Sequence, residues 1–191
     1  MRPVAGPRNN REKILETALR LFACQGIGAT PTAQLSREAG VSTGTLFHYF
    51  PEKSRLVVEL HFAIKREIGE ELRRDDDPAL PIRERLERCL RRYVAWGLAH
   101  PEKIHLIDQV DYLPDVGEEL KDHETDEERV WMLELIGKAV REGVLPDLPL
   151  PFLGVMIIRV LNGIIAIIEA GKTGMSEDEI IEHGLAMLWT A

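Results

Sequence analysis

The stretch Thr30–Lys53 (TPTAQLSREAGVSTGTLFHYFPEK) constrains this chain most, because it accommodates a helix, a tight turn and a second short helix. Thr30 followed by Pro31 predicts an N-cap and a first helical residue. Leu35 and Ala39 lie four apart and share one face of that helix. Gly40 ends it, since glycine enters the left-handed conformation without steric cost. Val41 then packs into the corner and Ser42 caps the next helix. At about 100° per residue, Leu46, Phe47 and Phe50 of that second helix fall in one sector and are expected to face inward. Gly44, Thr45, His48 and Tyr49 fall on the opposite side. Hydroxyls, an imidazole, a phenol and a glycine that admits close backbone approach suit base edges and phosphates in a major groove. The same spacing also fits an ordinary helix–turn–helix corner inside an all-α protein.

Flanking residues separate these readings. The run from Arg11 to Leu56 carries IL-x-x-A-x-x-LF in a first helix, a glycine after it, AGVS-x-G-x-L at the turn and YF-x-x-K at the end. In that order and with those gaps it resembles the N-terminal domain of TetR-family transcriptional regulators. The close resemblance covers about a quarter of the chain; the rest is similar only in layout. It implies an all-α fold, with an N-terminal three-helix helix-turn-helix DNA-binding domain and a C-terminal helical ligand-binding and dimerisation domain. The candidate DNA-binding residues are Thr32, Ser42, Thr43, Gly44, Thr45, His48, Tyr49 and Lys53. Tyr49 and Lys53 are expected on phosphates, and Thr43, Thr45 and His48 toward bases. Thr43 is placed by the resemblance alone, because helical phase turns it inward. Two residues depart from the family pattern. Phe47 stands where many members carry a tyrosine that hydrogen-bonds a phosphate, and Ala33 stands where some carry a basic residue reaching DNA.

Charge supports the same division. The net charge is −8 overall, yet residues 1–55 hold eight Lys and Arg against four Glu, which is +4 and leaves −12 to the remainder. Phosphate attraction follows the local field, so a basic head on an acidic body suits a DNA reader with a separate regulatory domain. A chain of 191 residues, 45% hydrophobic and 29% charged, suffices for one sizeable core or two small ones. Cys24 and Cys89 lie far apart without metal-ligand spacing, so no zinc or disulfide framework is expected and a reducing cytoplasm fits. No basic region followed by an apolar stretch opens the chain, so no secretory signal is expected.

The domains are expected at 1–55, with 1–9 as a flexible arm, and at 56–191. In the arm, Arg2 and Arg8 are either DNA-backbone contacts or a solvated tail. Ile14, Leu15, Ala18, Leu21 and Phe22 form one apolar stripe of a first helix that Gly26 ends. A long helix from about residue 52 to 74 presents Leu56, Val57, Leu60, Ile64, Ile68 and Leu72 inward and joins head to body. Lys53 lies in its first turn, where the helix dipole also favours a phosphate. DDDPALP at 75–81 reads as a linker. Further helices follow from Ile82 to His100, after Pro101, and through Trp131 to Gly143, with an acidic run at 114–129 between the last two. LPDLPLP at 145–151 breaks the chain.

Residues 152–168 are the most apolar run, but Arg159 and Asn162 lie in its middle and 17 residues is at the short limit for a membrane span. A buried helix is expected instead. The last helix opens with a capping box, Ser176 and Glu179. Two apolar helices ending a modest domain, 152–170 and 176–189, predict a four-helix interface with a second copy, through Ile157, Leu161, Ile164, Ile168, Ile181, Leu185 and Leu188.

No nucleotide-binding glycine loop, nucleophile elbow or HExxH occurs, so no enzyme, catalytic residue, cofactor or metal is expected. His105 and Asp108, three apart on a helix, with Asp111 and His123 nearby, are either metal ligands or solvated groups, and scattered histidines and acids in an acidic chain are more often solvated. Tyr93, Trp96, Tyr112 and Trp131 are either core packing or the wall of an effector pocket. The resemblance favours a pocket in the body, and apolar walls imply an apolar or aromatic ligand. The expected partners are palindromic double-stranded DNA, a small effector and a second copy of the chain, with no membrane. The rival reading is a helical small-molecule-binding protein that no longer reads DNA, which Phe47 and Ala33 favour and Tyr49 and Lys53 oppose.

Overall fold

The computed structural model describes residues 9–111 and 127–190, and these residues form nine helices. They are α1 Asn10–Gln25, α2 Thr32–Glu38, α3 Thr43–Tyr49, α4 Lys53–Arg73, α5 Ile82–Ala99, α6 Pro101–Asp111, α7 Glu127–Arg141, α8 Leu150–Ala170 and α9 Glu177–Ala186. The fold is all-α, with the first three helices as the helix-turn-helix. Residues 1–8 of the expected arm, Tyr112, His123 and the acidic run up to residue 126 lie outside the described residues. Among the described residues, no three His, Cys, Asp or Glu come together as a metal site.

Two compact units divide the described chain: residues 9–65 with 102–111, and residues 66–101 with 127–190. In the first unit α1, α2 and α3 pack pairwise. The α1 stripe buries Ile14, Ala18, Leu21 and Phe22. Asn9 caps this helix reciprocally with Glu12, a capping box the sequence reading missed. Gly26 ends it at φ 84°, and Gly40 closes α2 at φ 66°, both in the region that disfavours side chains. At the second turn Val41 N–H donates to Ser36 O at 3.0 Å, so an otherwise orphaned helix carbonyl is satisfied.

Thr30 corrects the expected cap. It is buried, and its hydroxyl donates back to Gly26 O at 2.9 Å, while Pro31 occupies the N-cap position of α2 without a side-chain bond. Thr30 therefore staples the α1–α2 loop. Helix α4 is continuous through both units, and Leu56, Val57, Leu60, Ile64, Ile68 and Leu72 are all buried as expected.

In the second unit α8 packs on α5, α7 and α9. The 75–81 segment is more constrained than a free linker. Asp76 accepts both Nε and Nη2 of Arg85, each at 2.6 Å, and Asp75, at φ 55°, pairs with Arg92 at 3.0 Å. The Arg85 hydrogen bonds, chiefly, hold the Asp76 carboxyl below its usual pKa. Ser176 and Glu179 form the expected capping box of α9.

Candidate functional site

Helix α3 has only seven residues, so its position depends on its ends and its inner face. Ser42 caps it, its hydroxyl accepting from Thr45 N–H at 3.0 Å and bonding the Thr45 hydroxyl at 2.8 Å. Leu46 and Phe50 are buried, and the Arg11 guanidinium lies 5.9 Å from the Phe50 ring centre. The Thr43 hydroxyl lies 3.3 Å from that of Ser36 on α2, which ties the two helices together.

The outward residues are Thr43, Gly44, Phe47, His48 and Tyr49, with Ser42 just before them. The imidazole of His48 and the phenol of Tyr49 meet edge to face at 5.4 Å. Thr32 and Thr45 are half-buried. Thr43 is thus exposed, contrary to its helical phase, whereas Thr45 commits its hydroxyl to the cap.

Phe47 is the main correction. It was expected inward beside Leu46 and Phe50, yet 41% of it is exposed. The three residues span an arc of about 100° at 100° per residue. The arc that packs is centred on Leu46 and Phe50 and turns toward Thr45, which leaves Phe47 at its open edge.

Lys53 opens α4 beside this face. Its ammonium donates to Thr30 O at 2.6 Å and lies 5.8 Å from the Phe22 ring centre. Partial burial lowers its pKa. The lysine straps the α1–α2 loop to α4, a second task that spacing did not reveal. Other head cations also have carboxylate partners: Arg11 and Arg55 both pair with Glu59, and Arg20 with Glu38. The local positive field is therefore smaller than the residue count suggests.

In the second unit the candidate pocket residues are already engaged. Tyr93 is buried and its hydroxyl donates to Asn162 Oδ1 at 2.9 Å. Trp96 is buried, with its ring 4.9 Å from that of His100. Trp131 is half-buried, hydrogen-bonds Asp76 and lies 5.4 Å from the Arg73 guanidinium. A cleft of about 480 Å³ opens elsewhere in this unit, between the end of α7 and the start of α8, lined by Gly137, Arg141, Leu148 and Leu150 among others. None of the three rings lines it.

Most of the residues expected at a dimer interface are already packed within the chain. Ile157, Leu161, Ile164, Leu185 and Leu188 are buried within the single chain, and Ile168 and Ile181 are half-buried. The apolar side of α9 is spent on α8, and the outward face of α9 is polar at Glu182 and His183. What remains open on α8 is the opposite stripe, Phe152, Val155, Met156 and Ile167.

Residues 14–60 match the family described as bacterial regulatory proteins, tetR family. The chain is 48% identical over 52 residues to the transcriptional regulator YxaF of Bacillus subtilis, a match spanning 27% of each chain. It is 24% identical to the transcriptional repressor AcnR of Corynebacterium efficiens, over 92% of this chain and 90% of that one. The match to the transcriptional regulator AcrR of Shigella flexneri, at 33% identity, spans 46% of this chain and 43% of that protein. In structure it is similar to a TetR family transcription regulator from Shewanella sp. PV-4, with a TM-score of 0.79 and 25% identity over 96% of this chain and 100% of that one. The motif, the helix-turn-helix geometry and the whole-chain fold agree: residues 14–60 match the tetR family of bacterial regulatory proteins, and the chain as a whole is similar in fold to TetR family regulators.

Proposed function

We propose that this chain is a cytoplasmic homodimeric repressor that reads a palindromic operator with α3 and is released from it by a small apolar or aromatic effector. The observation that carries the reading is the outer face of α3. A seven-residue helix already packed through Leu46 and capped by Ser42 still presents Thr43, Gly44, His48 and Tyr49 to solvent, beside Lys53. Groups of that chemistry on a rigidly mounted helix match base edges and phosphates. Two such heads related by a two-fold axis would read a two-fold symmetric site. AcnR, the relative matched along most of its length, is a transcriptional repressor.

The effector is placed in the second unit, with Tyr93, Trp96 and Trp131 as its candidate contacts. A ligand that prefers one arrangement of the heads shifts DNA affinity by its differential affinity for the two states, with reciprocal coupling of about 1–3 kcal/mol. Gel retardation of the full chain with genomic DNA flanking its gene tests the reading. Lys53→Ala should weaken specific and nonspecific binding alike and lower the salt slope by about one. His48→Ala should instead change which sequences are preferred. Circular dichroism must show Lys53→Ala still folded, because Lys53 also straps the Thr30 loop. No retardation of any fragment would favour the small-molecule carrier that does not read DNA.

A further inference from the structure

The first unit buries its large apolar side chains with few exceptions. Among the described residues, the large hydrophobic side chains it leaves exposed are Phe47 and Tyr49, both on α3. Tyr49 has a hydroxyl to offer a phosphate or base, and Phe47 has no polar group. Around α3, at about 100° per residue, Thr43, Phe47, Gly44 and His48 follow one another across a single open arc of about 140°. Phe47 therefore lies within the reading face, between Thr43 and Gly44, not at its margin. Gly44 leaves a gap beside the ring: a methyl group placed there would meet nothing closer than the Ser42 hydroxyl, 3.8 Å away. A base edge can thus approach the backbone between the rings of Phe47 and His48.

A benzyl side chain in a major groove can neither donate to nor accept from a base edge or a phosphate. The apolar group that the groove offers it is the C5-methyl of thymine. We infer that Phe47 is a specificity-determining residue that packs on a thymine C5-methyl in each half of the DNA site. The assignment rests on the DNA-reading function proposed above and adds a base preference to it. Contact with the methyl removes the ring from water and rejects cytosine, which lacks that group.

The test uses duplexes recovered from a random library by repeated binding to the full chain. In the recovered duplex each thymine is replaced in turn by uracil, which removes the methyl and keeps every hydrogen-bonding group. Wild-type affinity should fall roughly fourfold at one thymine per half-site, the value of one buried methyl group. The other thymines should tolerate the change. Phe47→Ala should bind the thymine and uracil duplexes equally, and Phe47→Leu should regain part of the difference. Because uracil alters only the DNA, the wild-type arm remains decisive even if Phe47→Ala folds poorly. Sequence enrichment with full indifference to uracil, or equal uracil sensitivity in folded Phe47→Ala, would overturn the assignment and leave DNA reading intact. A wild-type chain that enriches no sequence would overturn both.

Discussion

His61 lies in the third turn of α4, 5% exposed, and its Nδ1 has no hydrogen-bond partner among the described residues. Burial, with a smaller contribution from Lys65, pushes its pKa down from 6.5 to about 4. The unfolded chain therefore binds a proton between those values that the folded chain refuses. Stability from this residue is fully present above about pH 6.5 and is lost as pH falls toward 4. Between pH 7 and pH 5 the loss should be about 2 kcal/mol. Urea unfolding of the wild type should show it, and in His61→Gln that dependence should largely disappear. An equal pH dependence in the two proteins would place the titration elsewhere. His61 was not legible in the sequence because the helical stripe registers apolar residues, whereas burial of one imidazole depends on its neighbours in space. Lys53 was only half legible: its position beside α3 followed from the motif, but its strap to Thr30 O needed the loop geometry.

Elements were far more readable than residues. Glycines at 26 and 40, the caps at Ser42 and Ser176, and apolar stripes at helical spacing located α1, α3, α4 and α9 within a few residues. Direction within an element was the weak point, as Phe47 and Thr43 show. On a helix of two turns, a rotation by a fraction of a residue's arc exchanges buried and exposed positions. For α8 and α9, an apolar face alone also did not say whether its partner lies in the same chain. Here it does, and Gly184 determines how closely the helices approach. A side chain at Gly184 would overlap Ile164, which is 3% exposed on α8. Gly184→Ala should accordingly force the helices apart and cost about 1–3 kcal/mol despite alanine's better helix propensity. Thermal unfolding measures it, and an unchanged or raised midpoint would mean that α9 slides to make room.

At the scale of the molecule, the open question is what covers α8. The helix is long and apolar enough to cross a membrane by length and composition, and only 28% of its most apolar window is buried. Phe152, Val155, Met156 and Ile167 are 52%, 59%, 44% and 44% exposed, and their spacing sets them along one stripe. Such a stripe marks an interaction surface. Arg159 falls on the same stripe, and Asn162 accepts the Tyr93 hydroxyl within the chain, so lipid is a poor cover and a protein surface a good one. A second copy fits, because a two-fold axis lets the same stripe meet itself, and a two-fold symmetric pair of reading helices suits a palindromic site. Gly163 lies on this stripe with open space where a side chain would begin, so Gly163→Ala should leave the single chain stable while hindering close approach of two chains. Val155→Asp should go further, giving a folded monomer in sedimentation at micromolar concentration. Its affinity for a two-half site should fall sharply while its weak nonspecific binding persists. Ile164→Asp, by contrast, should unfold the second unit in any oligomeric state, since Ile164 packs inside the chain against Gly184. A Val155→Asp protein that still sediments as a dimer would move the interface to another face. One that dissociates but keeps full operator affinity would break the link between dimerisation and DNA reading.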